Sequence, residues 1–143
     1  MGKLYQNIES FEDLEVWKAS RLLRKRISKF VDSLPKDEKY RLSDQLIRAS
    51  RSVTANIAEG YGRFHFQENI QYCRQARGSL YEIIDHLLVA LDQDWITQKG
   101  YDSLKKQTIS CIKLVNGYIG YLKRSKANYV KEADIKYSTD TIN

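Results

Sequence analysis

Hydrophobic residues recur at intervals of three and four positions along most of the chain, which is the spacing of one face of an α-helix. No strand-like alternation of useful length interrupts this pattern. The apolar rows predict four helices, over about residues 12–33, 37–60, 66–91 and 97–126. Because short connections favour antiparallel neighbours, the sequence predicts an all-α fold, an antiparallel up-down-up-down four-helix bundle.

The residues at the predicted helix ends support these boundaries. Ser10 is suited to cap the first helix, with Asp13 three residues on. Pro35 ends that helix, because proline disfavours helical geometry at the residue before it. The Gly60-Tyr61-Gly62 step predicts the end of the second helix, since glycine adopts the left-handed C-cap conformation without steric cost.

Length and composition narrow the class of protein. The 143 residues fit one domain, expected over residues 1–126, with a frayed or disordered tail over 127–143, where periodicity is weak. The chain has no run of about 18 apolar residues to span a membrane, and its first residues lack the apolar core of a secretory signal. Cys73 and Cys111 are too far apart for a zinc-binding spacing. We therefore expect a cytoplasmic protein.

The charge is positive and clustered. Lys and Arg number 24 against 18 Asp and Glu, which gives a net charge of +6. No acidic residue occurs in the stretch that contains Lys18, Arg21, Arg24, Lys25 and Lys29. Clustered cations displace the counterions of a phosphate backbone, so this stretch predicts nucleic-acid binding. The alternative is a solvated helix face.

Arginines in the middle of the chain form a second candidate group: Arg48, Arg51, Arg63, Arg74 and Arg77. A guanidinium group binds a phosphate or a carboxylate through two parallel hydrogen bonds. The group therefore predicts either nucleic-acid contacts or salt bridges within or between subunits. In the second case, the expected partners of Arg48 or Arg51 lie on the next helix. They are Glu82 and Asp85.

Tyrosines are plentiful, and those that lie off the main apolar rows are Tyr61, Tyr72, Tyr81 and Tyr121. Exposed tyrosines stack on unpaired bases. Tyrosine is also enriched at the centres of protein interfaces. The sequence leaves both interpretations open.

Three segments together resemble a known family. They are FEDLEVWK at 11–18, LPKDEKYRLSDQLIRASRSVTANIAEGYGR at 34–63 and RGSLYE at 77–82. This combination resembles the four-helix-bundle family named for reading frames inside intervening sequences of bacterial 23S ribosomal RNA genes. The resemblance covers about residues 10–125, and its most specific parts are NIAEGYGR and the Gly-Ser-Leu-x-Glu step.

The resemblance implies assembly and partners. Members of this family look like small bundles that form toroidal homopentamers. A related branch, the accessory variability protein of diversity-generating retroelements, associates with a reverse transcriptase and with nucleic acid. The resemblance thus implies a homo-oligomer with RNA, DNA or a protein such as a reverse transcriptase as partner. The motif residues are candidates for subunit contacts: Asn56, Glu59, Gly60, Gly78, Ser79 and Glu82.

Signals of catalysis and of metal binding are missing from the sequence. It has no P-loop, no Gly-x-Ser-x-Gly and no Glu-x-x-His pair of the kind that bundle di-metal sites use. His65 and His86 have no catalytic partner at a recognised spacing. We therefore predict no enzyme activity, no catalytic residue, no cofactor and no metal. An enzyme would need a convergent polar cluster in one pocket.

Two functional hypotheses follow from these observations. The leading hypothesis is a non-enzymatic, oligomeric scaffold that binds nucleic acid, with RNA preferred over DNA. The alternative is a protein-binding adaptor whose charged residues serve ring assembly and which has no affinity for nucleic acid.

Overall fold

The computed structural model describes the backbone of residues 2–140 and the side chains of residues 4–138. Within that part of the chain, the α-helices are α1 (Glu15–Val31), α2 (Leu42–Gly62), α3 (Phe66–Asp92) and α4 (Gln98–Asp140). Short 3-10 turns occur at Gly2–Tyr5, Phe11–Asp13 and Lys36–Glu38, and no strand is present among the described residues. The all-α prediction is confirmed.

Each helix packs against the next, and α1 also packs against α4. Residue numbers fall in one helix as they rise in its neighbour: Ser79 of α3 bonds Ser52 of α2, whereas Asn69 of α3 lies against Gly60 of α2. The corresponding pairs between α3 and α4 are Arg77–Asn116 and Gln67–Lys126. These helices therefore run antiparallel, as the short connections predict.

The apolar rows of the helices meet in one core. Its fully buried side chains include Leu23, Leu46, Leu80 and Val115, one from each helix. Cys73 and Cys111 belong to this core as free thiols. Burial raises the pKa of the Cys73 thiol to about 12 and that of the Cys111 thiol to about 11. Both thiols therefore stay protonated at neutral pH and act as small core residues.

The predicted cap at the start of the chain forms, but on a different element. The Ser10 side chain accepts a backbone N–H of the next turn, and Asp13 accepts the Ser10 N–H at 3.1 Å. This capping box closes the 3-10 turn Phe11–Asp13. Leu14 then adopts an extended conformation and is buried, so α1 begins only at Glu15.

α2 ends within the predicted glycine step, at Gly62, but without the predicted left-handed glycine. No described glycine has a positive φ; the left-handed residue of the α2–α3 turn is Phe64, with φ 57°. Gly60 is helical and buried instead. A Cβ atom there would lie 2.7 Å from Asn69 Oδ1 and 2.9 Å from Tyr72 Cβ. Gly60 is thus explained by the close approach of α2 and α3, not by a turn conformation.

The end of α4 also differs from the prediction. The helix is expected to stop near Lys126, but it continues to Asp140. Its last buried side chain is Leu122, so the continuation adds no core. It stays helical because residues 121–140 contain neither proline nor glycine and include helix-favouring Lys, Ala and Glu. Residues 141–143 lie outside the described chain, and the division into a bundle domain and a tail stays a prediction.

None of the helices in the described part of the chain combines the length and the apolar character needed to cross a lipid bilayer.

Candidate nucleic-acid interface

The outward side of α1 carries a row of exposed cations, which we call the α1 basic face: Lys18, Arg21, Lys25 and Lys29. Lys18 lies 3.5 Å from Glu15, and the Arg21 guanidinium lies 5.7 Å from the centre of the Trp17 ring. Lys25 and Lys29 make no ion pair with any residue that the structure describes. The structure therefore brings these four predicted residues together with most of their charge uncompensated.

Two further arginines of α1 flank this face. Arg24 Nη1 donates to Thr54 Oγ1 of α2 at 2.8 Å. On the other flank, Arg26 donates to Gln107 of α4 at 2.8 Å and to Ser103 at 2.7 Å. All three partners are neutral, so these hydrogen bonds fix the side chains without cancelling their charge. Arg24 and Arg26 thus widen the positive surface on both sides of α1.

Arg51 of α2 lies near the α1 surface, whereas Arg48 is paired. The Thr54 hydroxyl that binds Arg24 also donates to the Arg51 carbonyl at 3.2 Å, so the backbone of Arg51 lies close to the Arg24 side chain, and Arg51 is exposed. Arg48 Nε lies 3.0 Å from Asp44 of the same helix. Among the described residues of this one chain, no ion pair joins these two arginines to the acids of α3; a bridge between subunits stays a prediction. The i,i+4 spacing within α2 offers Arg48 a nearer partner.

The Arg63 side chain is already bonded to other residues of the chain. Its guanidinium donates to Glu59 Oε1 at 2.9 Å and to the Tyr72 hydroxyl at 3.0 Å, and it lies over the Tyr72 ring. Glu68 lies 4.0 Å away. The hydrogen bond with Glu59 raises the pKa of the Arg63 guanidinium. Arg63 and Glu59 therefore connect the end of α2 to α3 through the Tyr72 hydroxyl.

The remaining arginines of the group lie on α3, diagonally across the bundle from α1. Arg74 donates to Gln71 one turn earlier at 3.1 Å. Arg77 is half-buried and donates to Asn116 of α4 at 2.8 Å. The ten predicted cations therefore do not form one patch. Those of α1, with Arg51 beside them, make one surface, and the others are spread over the α2–α3 side.

Several motif residues hold α2 and α3 together, and we call this contact the α2–α3 seam: Asn56, Glu59, Gly60 and Ser79 with their partners Ser52, Arg63, Asn69 and Tyr72. Asn56 donates to the Ser52 carbonyl, and the Ser79 hydroxyl donates to Ser52 Oγ at 3.0 Å. These contacts lie within one chain. The predicted role of these residues in subunit contacts stays a prediction.

Gly78 is exposed, and Glu82 lies at the edge of the seam, where it lines a pocket with Arg48, Ser52 and Ser79. A Cβ atom at Gly78 would meet nothing within 4 Å. Glu82 is exposed, like Asp85, Asp92 and Asp94, and no Lys or Arg occurs from residue 78 to 98. Large apolar side chains lie near these acids: Tyr81 is 58% exposed, Leu88 38% and Val89 40%. The outward side of α3 is thus acidic and partly apolar.

An aromatic cavity lies where the α2–α3 turn meets the N-terminal segment and α4. Its volume is about 360 Å³. The Tyr5 and Tyr121 rings stack with centroids 4.1 Å apart, and Asn69 donates to the Tyr118 hydroxyl at 3.1 Å. Burial raises the pKa of both Tyr5 and Tyr118. Sequence reasoning missed this cavity, because Tyr5 precedes the first predicted helix and Tyr118 belongs to a core row.

The predicted absence of a cofactor and of a metal stays a prediction. No group of three His, Cys, Asp or Glu side chains among the described residues is placed to hold a metal ion. Every buried side-chain nitrogen or oxygen in the same part of the chain has a hydrogen-bond partner.

Comparison with known proteins gives a match to a protein family and matches to solved structures. Residues 12–117 match the model of the family described as 23S rRNA-intervening sequence protein. A crystal structure of a protein of unknown function from the S23 ribosomal protein family of Bacteroides thetaiotaomicron has a TM-score of 0.68. It is 24% identical, and the match covers 73% of this chain and 97% of that chain. That likeness shows the fold. A search of curated proteins gave no significant match.

Proposed function

The chain belongs to the 23S rRNA-intervening sequence protein family, and from this premise we propose that it is a non-enzymatic, homo-oligomeric scaffold that binds RNA in the cytoplasm. The observation that carries the proposal is the α1 basic face. Four exposed cations share it, and Lys25 and Lys29 have no ion pair with any described residue. Such cations are available to a phosphate backbone.

The energetics favour a polyanion over a single small anion. Each phosphate that a Lys or Arg neutralises releases condensed counterions, so affinity grows with the number of contacts. Arg24, Arg26 and Arg51 extend the same surface without acidic partners. A homo-oligomer, with a pentamer as the form we favour, would repeat this surface in every subunit. The proposal therefore rests on an extended ligand and on an assembly that multiplies the charge.

A pair of charge-matched variants tests the proposal. The face variant is Arg21→Gln, Lys25→Gln, Lys29→Gln; the control is Lys36→Gln, Lys39→Gln, Arg41→Gln in the α1–α2 connection. Each lowers the net charge of +6 by three. Fluorescence anisotropy with a labelled structured RNA is titrated between about 50 and 200 mM salt, where several phosphate contacts cost roughly a thousandfold in affinity.

We expect the face variant to lose affinity at every salt concentration, with a slope of log Kd against log salt reduced by about 2 to 3. The control keeps a slope close to that of the unmodified protein, because its charges lie outside the α1 basic face. Equal losses in the two variants would mean that only net charge matters. Unchanged affinity in the face variant would reject the assignment to α1.

The acidic, partly apolar side of α3 favours a second candidate, a protein-binding adaptor whose charges serve ring assembly. In a head-to-tail ring, the α1 basic face of one subunit would meet Glu82 and Asp85 of the next. This candidate predicts an assembly that dissociates with salt and has no affinity for RNA. Mass measurement by light scattering of the same face variant separates the two: loss of assembly with no RNA binding by the unmodified protein favours the adaptor.

A further inference from the structure

The aromatic cavity at the α2–α3 turn has the lining of a binding site for a flat ring. Tyr5, Tyr61, Phe64 and Tyr121 contribute aromatic rings, and none of the described residues that line the cavity is acidic. The hydroxyl groups of the tyrosines, the Asn69 amide and the His65 ring add polar atoms to the wall. Aromatic walls with a few polar groups are typical of sites for small planar groups.

Phe64 lies at the rim of this cavity, and both its exposure and its backbone conformation are unusual for a phenylalanine. Its side chain is 87% exposed, and its backbone has φ 57°. A bulky residue is a rare outlier in this left-handed region, where Gly or Asn is common. The Phe64 and Tyr61 ring centroids are 6.5 Å apart. Packing within the described chain does not explain why a large ring is held there.

Cations lie beside the cavity on two elements. Lys126 follows the lining residue Leu122 by one turn and donates to the neutral Gln67, next to the lining residue Phe66. Arg124 of α4 lies close enough to the lining residue Tyr5 for its positive charge to oppose the rise in the pKa of that hydroxyl. Arg63, which carries its own acidic partners, immediately precedes Phe64. The surroundings therefore favour an anionic group attached to the planar one.

We propose that this cavity binds one unpaired nucleobase of a single-stranded RNA segment, stacked against the exposed Phe64 ring, with a flanking phosphate beside Lys126. The inference rests on the proposed RNA binding and adds a second contact at the end of the bundle. Stacking on aromatic side chains accepts any base, so the site selects single-stranded over paired RNA rather than a sequence.

The test uses one RNA hairpin in two forms, blunt and with a single-stranded extension that contains 2-aminopurine, whose fluorescence is quenched by stacking. The key variant is Phe64→Asn, because Asn tolerates the left-handed backbone while the ring is lost. The matched control is Tyr40→Asn, which removes an 82% exposed ring at the opposite end of α2. Phe64→Gly is a second variant, and thermal unfolding verifies that each one folds.

We expect both Phe64 variants to bind the extended hairpin about tenfold more weakly and to bind the blunt hairpin unchanged. The quenching of 2-aminopurine seen with the unmodified protein should disappear in both, and Tyr40→Asn should alter neither measurement. If quenching is absent, or persists without the Phe64 ring, the cavity is not a base site, although blunt-hairpin binding would still uphold the proposed function. If neither hairpin binds, both proposals are rejected.

Discussion

The α2–α3 seam and the outward sides of α1 and α3 use similar residues in opposite ways. In the seam, each polar group has its partner within the chain: Arg63 has Glu59, and Ser79 has Ser52. On the outward sides, Lys25 and Glu82 make no ion pair with any described residue. The seam is therefore explained by the folding of one chain, whereas the outward charges are not.

Gly60 and Gly78 of the motif segments differ in the same way as the seam and the outward sides. Both lie inside helices, where glycine is less favourable than alanine. Gly60 is enclosed by Asn69 and Tyr72, and this close approach explains its presence. Gly78 has open space around its Cα. The packing of one chain thus explains Gly60 but does not explain Gly78, although both glycines belong to the motif segments.

Gly60→Ala is the largest expected break in the seam. The added methyl group would lie 2.7 Å from Asn69 Oδ1 and 2.9 Å from Tyr72 Cβ, so α2 and α3 must separate. Asn69 also bonds Tyr118, so the shift would spread toward α4. We expect the free energy of unfolding to fall by about 2 kcal/mol. Chemical denaturation followed by circular dichroism measures it, and an unchanged midpoint would contradict the close approach.

Ser79→Ala removes one hydrogen bond from the same seam. The Ser79 hydroxyl donates to Ser52 Oγ at 3.0 Å and is buried. Ser52 Oγ keeps its bond from Asn56, so no acceptor is left unsatisfied. We therefore expect a loss of only about 1 kcal/mol, measured by the same denaturation. Ser52→Ala deletes this bond and the one from Asn56, so the double variant should cost no more than Ser52→Ala alone and less than the sum of the two single losses; fully additive losses would show that the Ser79–Ser52 bond is not shared.

How far the sequence predicts these features depends on how local their causes are. Helix positions follow from the apolar period, which each segment carries by itself, and the structure keeps all four helices. The row of cations on α1 is equally local, because helical spacing alone aligns Lys18, Arg21, Lys25 and Lys29. The Arg48–Asp44 pair also had a local signal, the i,i+4 spacing within α2.

The features that sequence reasoning missed have causes in distant parts of the chain. The glycine step at the end of α2 suggests a left-handed turn, but Gly60 is required by Asn69 and Tyr72 of the next helix. The aromatic cavity assembles Tyr5, Phe64 and Tyr121 from three separate elements, so no single stretch of sequence contains it. The length of α4 has a local cause instead: no proline or glycine ends the helix after its last buried residue.

Gly78→Ala distinguishes most clearly between folding of the single chain and contact between subunits, although its expected effect is the smallest. Nothing in the described chain lies within 4 Å of the new methyl group, so alanine should raise the free energy of unfolding of the isolated subunit by about 0.5–1 kcal/mol. Gly78 is also a predicted subunit contact. If another chain packs there, the methyl group stands between the two subunits, and the assembled mass at high protein concentration should fall.

The two measurements on Gly78→Ala therefore move in opposite directions if a subunit contact explains this glycine. Light scattering measures the mass at high concentration and identifies a low concentration at which the chain is a single subunit; stability is measured at that low concentration. Ser79→Ala is the neighbouring control, because it faces the seam and should lower stability without weakening assembly. A stability gain with unchanged mass would reject the contact at Gly78. A stability loss in the dissociated chain would contradict the open space that distinguishes Gly78 from Gly60.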